Sequence, residues 1–425
     1  MNLTHDERAM LDGKYGKASR KAMEILVGLG TIYGAKKMVP VSSVQIAGVS
    51  YDNLGEAGLQ FLSSMANGGG KARVLATLNP AGMDIDNWRS LGINSEFAEN
   101  QKRVLEAFAR MNVITTCTCT PYLVGNVPHF GEHIAWAESS AVCYANSVLG
   151  ARTNREGGPS ALASAITGRT PVYGFHLDSQ RIPKLTVEVT GEISHYFDKN
   201  ESFYFSALGK VIGEKFEAFG KKEVPYIMGI KSCSNENLKS FCASIATYGG
   251  VALFHMENIT PEAAKLSSPK PTVIIERSDL DMAVQSLSSS ASDEVDFISL
   301  GCPHLSIKEI AHLAELLEGK KVIKEFWITT ARPIKQIADE MGYSQIIEKS
   351  GALFASDTCC VVAPIKGRFN TMLTDSAKAC YYAYGKNNFK TVFKTFKEVV
   401  AEAVGEGSSH RDSKSNNSSA NSILI

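Results

Sequence analysis

The chain has 425 residues, 44% of them hydrophobic and 21% charged, with Lys+Arg and Asp+Glu both at 44. Zero formal charge and the lack of a basic run argue against a nucleic-acid partner, which normally selects a basic excess. The N-terminal MNLTHDERAMLDGKYG has no signal-peptide core, and no stretch approaches the ~20 apolar residues of a membrane span, so a cytoplasmic protein without a membrane partner is expected.

Length alone allows two or three domain-sized units. The first 35 residues carry Ala22, Ile25, Leu26 and Leu29 at helical spacing. A β-like stretch follows from Val39 to Val49, and Gly55 to Met65 is again helical until the Asn67-Gly68-Gly69-Gly70 break. Val74 to Leu78 reads as a strand running into Asn79-Pro80-Ala81-Gly82, and Val113-Ile114-Thr115 is β-like. Alternation is clearer in the C-terminal half. Val273 to Glu276 is a short strand, and Val295 to Leu300 another, ending at Gly301-Cys302-Pro303-His304. Ile307, Ile310, Leu313, Leu316 and Leu317 mark a helix closed by Gly319; Val322 to Thr329 is the next strand, and Pro333 opens a further helix. Strand and helix in turn predict mostly parallel sheets covered by helices, with ligand groups at the carboxyl ends of strands. The Ser/Asn-rich stretch from Ser408 to Asn421 has too few apolar residues to offset ordering entropy and is expected to be a disordered tail.

Nine cysteines, an odd number without an export signal, do not make a disulfide framework. Most such cysteines are buried small hydrophobes. Cys143, Cys233, Cys242 and Cys380, in helical or mixed apolar context, are assigned to that class. Three others stand at loop-like breaks: Cys119 before Pro121, Cys302 between Gly301 and Pro303, and Cys359 in Asp357-Thr358-Cys359-Cys360. Such scattered positions suit a cluster held between several elements, unlike the tight Cys-x-x-Cys runs of ferredoxins. Spacing alone leaves ligation and plain burial equally open, with Cys117 and Cys360 as adjacent alternatives. Zinc at Cys117 and Cys119 with a histidine is a poor match to structural zinc spacing.

Longer motifs decide more. Ile46-Ala47-Gly48-Val49-Ser50-Tyr51, Leu78-Asn79-Pro80-Ala81-Gly82-Met83-Asp84, Glu138-Ser139-Ser140-Ala141 and the run from Val148 to Ser160 accompany the Thr-Cys-Thr-Pro-Tyr, Gly-Cys-Pro-His and Asp-Thr-Cys segments. Together, over about residues 1–405, they resemble the aconitase X family, a branch of the aconitase superfamily of iron–sulfur hydro-lyases. The resemblance implies an α/β, aconitase-like multi-lobe architecture: one catalytic region of several lobes at 1–405, then the tail at 406–425. It implies an iron–sulfur cluster on Cys119, Cys302 and Cys359, of 4Fe–4S type with one open iron. Implied substrate contacts are Gly48, Val49, Ser50, Asn79, Pro80, Glu138, Ser139 and Lys378, with Glu138 and Ser139 catalytic.

Two activities are known in this family, dehydration of (R)-5-phosphomevalonate to trans-anhydromevalonate 5-phosphate in an archaeal-type mevalonate pathway, and dehydration of cis-3-hydroxy-L-proline. The chain leaves no room for the family's swivelling small domain, which implies a separate small subunit carrying a catalytic serine. That split form favours the phosphomevalonate activity. No general base is evident in the sequence. A three-thiolate cluster leaves an iron free to polarise a leaving hydroxyl, whereas a fourth thiolate would close it. Ser50, Ser139 and Lys378 offer partners to a small anionic substrate. Arg152, Asn154, Arg155 and Glu156 form a polar group expected to shape the site, with Arg152 as an alternative carboxylate partner, and His304 is expected to support the cluster from behind its ligand. A remote alternative is a non-enzymatic iron-sensing or nucleic-acid-binding protein on the same scaffold.

Overall fold

Three parallel sheets organise the computed structural model, which describes residues 1–198, 201–218 and 224–406. The first is short: Ser43–Ile46 lies between Leu75–Leu78 and Ala135–Trp136. Helices Lys17–Ile32, Tyr51–Asn67, Ser95–Arg110 and Gly158–Thr167 surround it. Lys17–Ile32 buries Ala18, Ala22, Met23 and Leu26, the apolar stripe legible at helical spacing. The expected stretch from Val39 to Val49 divides into Met38–Pro40 and Ser43–Ile46. Between them Val41 N–H turns to Gly168 O (3.1 Å) and Ser42 N–H to His133 O (2.9 Å), so the chain changes partners. Met38–Pro40 instead pairs antiparallel with Arg169–Pro171. The β-like Val113–Thr115 contributes only a single bridge, Ile114 to Thr77.

The second sheet orders His255–Met256, Pro225–Met228, Leu185–Val189 and Thr272–Ile275, all parallel. Helices Ser202–Ala218 and Asn235–Tyr248 pack closely on each other. Glycine permits this: a Cβ on Gly209 would stand 2.7 Å from Ser244 Cβ.

The third sheet has five parallel strands in the order Leu353–Ser356, Glu325–Thr330, Phe297–Leu305, Thr371–Thr374, Lys390–Phe393. Phe297–Leu305 is buried along its whole length, as a central parallel strand must be. The helix after it, Ile307–Leu317, starts with a Ser306/Glu309 capping box and buries Ile310, Leu313, Ala314 and Leu317. This helix, strand Glu325–Thr330 and helix Arg332–Glu340 follow the sequence expectation closely, whereas strand Phe297–Leu305 runs past the expected end at Leu300 and takes in Gly301, Cys302, Pro303 and His304.

The first and third units meet along hydrogen bonds that join distant segments. Ala81 N–H donates to Asp357 O (2.8 Å) and Ser356 N–H to Asp84 Oδ2 (2.8 Å), while Arg332 pairs with both Asp86 and Asp357. All nine cysteines are free. Among the described residues no helix is long and apolar enough to cross a membrane. The stretch from Ser408 to Asn421 lies outside the described residues.

Candidate active site

Two loops and an irregular stretch of strand bring Cys119, Cys359 and Cys302 to the seam between the first and third sheets. The loop of Cys119 is tied to the end of strand Leu75–Leu78 by Thr118 N–H on Leu78 O (2.9 Å). Cys302 stands where strand Phe297–Leu305 loses register with its neighbour, between Leu300 and Leu305. Gly301 makes that break possible with φ 107°; a Cβ there would lie 2.2 Å from Thr329 O. Cys359 follows the carboxyl end of strand Leu353–Ser356. That is where ligand groups of such parallel sheets gather, whereas Cys302 lies within its strand and not past the end expected at Leu300.

His304 binds the loops to one another. Its Nδ1 is 2.9 Å from Thr118 Oγ1, its Nε2 2.9 Å from Thr358 O, and its backbone N–H donates to Cys119 Sγ at 3.3 Å. It therefore touches the residues before Cys119 and before Cys359 while lying two residues beyond Cys302.

All three thiols are buried; Cys359 bears on Cys119, and both bear on Cys302. Burial pushes Cys119 up to about 12, with Cys359 adding to the rise and Lys378 and the His304 N–H opposing it. Burial also raises Cys302 well above its ordinary value, with Cys359 and Cys119 contributing and Lys378 opposing. At Cys359 burial again dominates, countered by the N–H groups of Val361 and Val362 and by Lys378. Such thiols stay protonated until a metal's charge displaces their protons. Of the adjacent alternatives, Cys360 is hydrogen-bonded to the Ser299 side chain, and Cys117 has Asp357, Arg332 and the Ala81 backbone beside it. No three His, Cys, Asp or Glu side chains among the described residues converge tightly enough for a single metal ion. Three soft thiols sharing one buried, cation-flanked space, with backbone N–H groups aimed at two of the sulfurs, fit a cluster whose thiolates bind different irons.

Next to the thiols lies a buried ion pair. Lys378 Nζ meets Glu138 Oε1 at 2.5 Å and Ser140 Oγ at 2.9 Å. Ser140 Oγ also donates to Glu138 Oε1 (2.8 Å), and Asn79 Nδ2 donates to Glu138 Oε2 (2.9 Å). Burial alone would raise Glu138, but the charge and hydrogen bond of Lys378, with Ser140, hold its carboxyl at about 2. Lys378 is driven the other way: Glu138, Cys302 and Cys119 raise it against the cost of burial. Both groups stay charged across the neutral range. Glu138 is also the N-cap of helix Ser139–Ser147, and its own N–H donates to Gln45 Oε1 (3.1 Å). Gln45 Nε2 in turn donates to Thr118 O (3.2 Å), which carries the network back to the Cys119 loop.

The remaining expected residues sit around this pair with different duties. Asn79 is engaged by Glu138, and Pro80 leads directly to the Ala81–Asp357 bond. Ser139 Oγ reaches Glu138 Oε1 only at 3.5 Å. Ser50 Oγ donates to Val362 O (3.0 Å), so its hydroxyl proton joins the Cys359 loop and is not free for an anion. The backbone offers what the hydroxyl does not: the N–H groups of Gly48, Val49 and Ser50 meet no acceptor among the described residues, at the start of helix Tyr51–Asn67. Gly48, at φ 76°, turns the chain to present them. Arg152 is paired with Asp178 and directed at His176 O, which engages it away from the Glu138–Lys378 group. Ser140, Gln45 and Tyr382 were missed; Tyr382 feels Lys378, Glu138, Arg155 and Cys302. Ser140 lies inside the Glu138-Ser139-Ser140-Ala141 motif, whereas Gln45, in the middle of a strand, gives no signal.

Comparison with known proteins gives the family. Residues 1–179, 183–285 and 295–405 match the aconitase X first, second and third domain families. The phosphomevalonate dehydratase large subunit of Methanocaldococcus jannaschii is 46% identical over 406 residues, covering 94% of this chain and 99% of that protein. The cis-3-hydroxy-L-proline dehydratase of Hypocrea jecorina is 33% identical over 417 residues, covering 95% of this chain and 68% of that protein. The crystal structure of Thermococcus kodakaraensis aconitase X in its holo-form superposes with a TM-score of 0.86 at 42% identity, covering 95% of this chain and 100% of that one. The chain belongs to the aconitase X family.

Proposed function

We propose that this chain is the large subunit of a phosphomevalonate dehydratase, a hydro-lyase that removes water from (R)-5-phosphomevalonate to give trans-anhydromevalonate 5-phosphate. The observation that carries this function is the buried Glu138–Lys378 pair set against the thiols of Cys119, Cys302 and Cys359. The greater identity to a phosphomevalonate dehydratase large subunit than to a hydroxyproline dehydratase, 46% against 33%, supports the substrate. Hydroxyproline dehydration is the second reading, and the same assay decides between them.

The three cysteines would hold a 4Fe–4S cluster with one iron open. When bound, it supplies a Lewis acid for the leaving hydroxyl. The chain's own residues bind and orient. Free N–H groups at Gly48, Val49 and Ser50 suit a carboxylate or phosphate oxygen at a helix start. Lys378 adds a fixed positive charge, and Glu138 holds that charge and Asn79 in place. Burial of the pair excludes water, which strengthens each of these interactions.

Glu138 stays ionised and Lys378 stays protonated, which makes the carboxylate a weak base and the ammonium a weak acid at neutral pH. Among the described residues no other group of the site presents itself as a carbon base. A separate small subunit, implied by the names of the relatives, would bring it as a serine. A cytoplasmic location, where thiols are kept reduced, suits such ligands. Anaerobic purification of the co-expressed subunits tests the cofactor: bound iron and sulfide with a brown visible spectrum are expected, and a colourless, iron-free complex that dehydrates phosphomevalonate would overturn it.

A further inference from the structure

Lys239 is a lysine where a hydrophobic residue would ordinarily pack. It lies on helix Asn235–Tyr248 of the second unit and is 3% exposed. Its ammonium donates to His304 O at 2.8 Å and is paired with the Glu309 carboxylate. Glu309 closes the capping box that starts helix Ile307–Leu317, accepting from Ser306 N–H at 2.7 Å. Asp375 faces the same group, pushed up to about 7 by burial and Glu309 and pulled back by Lys239. A cavity of about 20 Å³ separates Lys239, Glu309 and Asp375 from Cys302. Asp375 directly precedes Ser376, the N-cap of the short helix that carries Lys378. One ammonium thus stands where the Cys302 turn, the following helix and the Lys378 segment meet.

Burying this charge has a physical cost. Desolvation of an ion pair often cancels its Coulomb gain, so a well-packed methionine would serve stability as well. What a methionine cannot do is hold the His304 carbonyl. That residue's N–H is on Cys119 Sγ, and its ring spans Thr118 and Thr358. Rotation of the Cys302–His304 turn would loosen all of these contacts together. Lys239 bonds the turn rather than a sulfur, so its influence on the thiols passes through His304.

We propose that Lys239 is a positioning residue for the thiolate site: by anchoring the His304 carbonyl from the second unit, it fixes the turn that sets Cys302 and Cys119 for the cluster. The inference rests on the cluster assigned above. It extends the set of residues that secure the cofactor to a unit that contributes none of its thiols.

The test uses the full chain in complex with its small subunit. The variant Lys239→Met/Glu309→Gln removes the ion pair without leaving a lone buried carboxylate, and Gln keeps the capping box available. Iron and sulfide are measured first in the wild-type complex, and a wild type without them removes both the cluster and this inference. The rate at which EDTA bleaches the visible absorbance is then compared. The double variant should keep wild-type circular dichroism and bleach roughly ten- to hundredfold faster, the range seen when partners behind metal ligands are lost. Lys239→Arg, which still offers the His304 carbonyl a donor, should restore slow bleaching. A double variant that bleaches at the wild-type rate would overturn the proposal, as would Lys239→Arg bleaching as fast as the double variant. Should the double variant not fold, Lys239→Leu/Glu309→Gln, which also lacks a donor and leaves no lone carboxylate, carries the comparison.

Discussion

His304 donates its backbone N–H to the sulfur of Cys119, 185 residues away in sequence, at 3.3 Å. With its ring between Thr118 and Thr358, this one residue couples all three thiol-bearing segments. Replacing it with Ala removes both ring contacts and leaves the buried Thr358 carbonyl without that partner. His304→Ala should destabilise the chain by about 1–3 kcal/mol, the cost of a buried polar group left unpaired. Urea denaturation of the metal-free chain measures this. A change below about 0.5 kcal/mol, the size of an ordinary surface substitution, would show that the loops hold without it.

The thiols divide into two groups with different consequences. Cys119→Ala, Cys302→Ala and Cys359→Ala should each abolish the brown absorbance and the activity. Cys117→Ala and Cys360→Ala should retain iron and sulfide, because their sulfurs have Asp357, Arg332 and Ser299 beside them. Cys143→Ala and Cys242→Ala should cost only packing, roughly 1 kcal/mol. Iron and sulfide analysis of the purified variants decides, and full cluster content in the first three would discard the ligand set.

Lys378→Ala should lower kcat/KM by about thirtyfold, corresponding to ~2 kcal/mol for a charge-assisted hydrogen bond to the substrate. The cluster should survive, since Lys378 is not a ligand. Loss of the visible spectrum together with activity would instead make Lys378 a support of the thiols.

Glu138 gives a prediction in pH. Its carboxyl is held at about 2, below the ordinary 4.5, chiefly by Lys378 acting against burial. A depressed acid contributes stability that is fully present above 4.5 and lost as pH falls toward 2. Thermal unfolding of the wild-type chain should therefore weaken over that window, and Glu138→Gln should flatten that part of the profile. Parallel profiles for the two proteins would show that the pair does not set acid stability.

How much of this was legible in the sequence depends on how each element is buried. Helix Ile307–Leu317 has one apolar face, so its spacing marked it and its Gly319 stop. The apolar run from Val295 to Leu300 marks the first part of strand Phe297–Leu305, but Gly301 and Pro303 hide that the strand continues through Cys302 with shifted register. Helix Ser139–Ser147 is buried on every side, so it carries no periodic signal, and Glu138 was recognised by motif rather than pattern. The second unit was hardly visible: its strands are two to five residues long, and its Asn235–Tyr248 helix buries Lys239 and Asn237 as well as Phe241. Roles fixed by tertiary contact could not be read from local sequence. Lys239 on His304, Gln45 between Glu138 and Thr118, and the diversion of Ser50 to Val362 all depend on segments that only folding brings together.

Joined to a small subunit, this chain should dehydrate (R)-5-phosphomevalonate. The direct measurement is steady-state kinetics of the anaerobically reconstituted complex, and of the large chain alone, on phosphomevalonate and on cis-3-hydroxy-L-proline. Turnover of phosphomevalonate by the complex, with little or none by the chain alone and little on hydroxyproline, is the predicted result. Efficient hydroxyproline turnover without phosphomevalonate turnover, or full activity from the large chain by itself, would contradict the account.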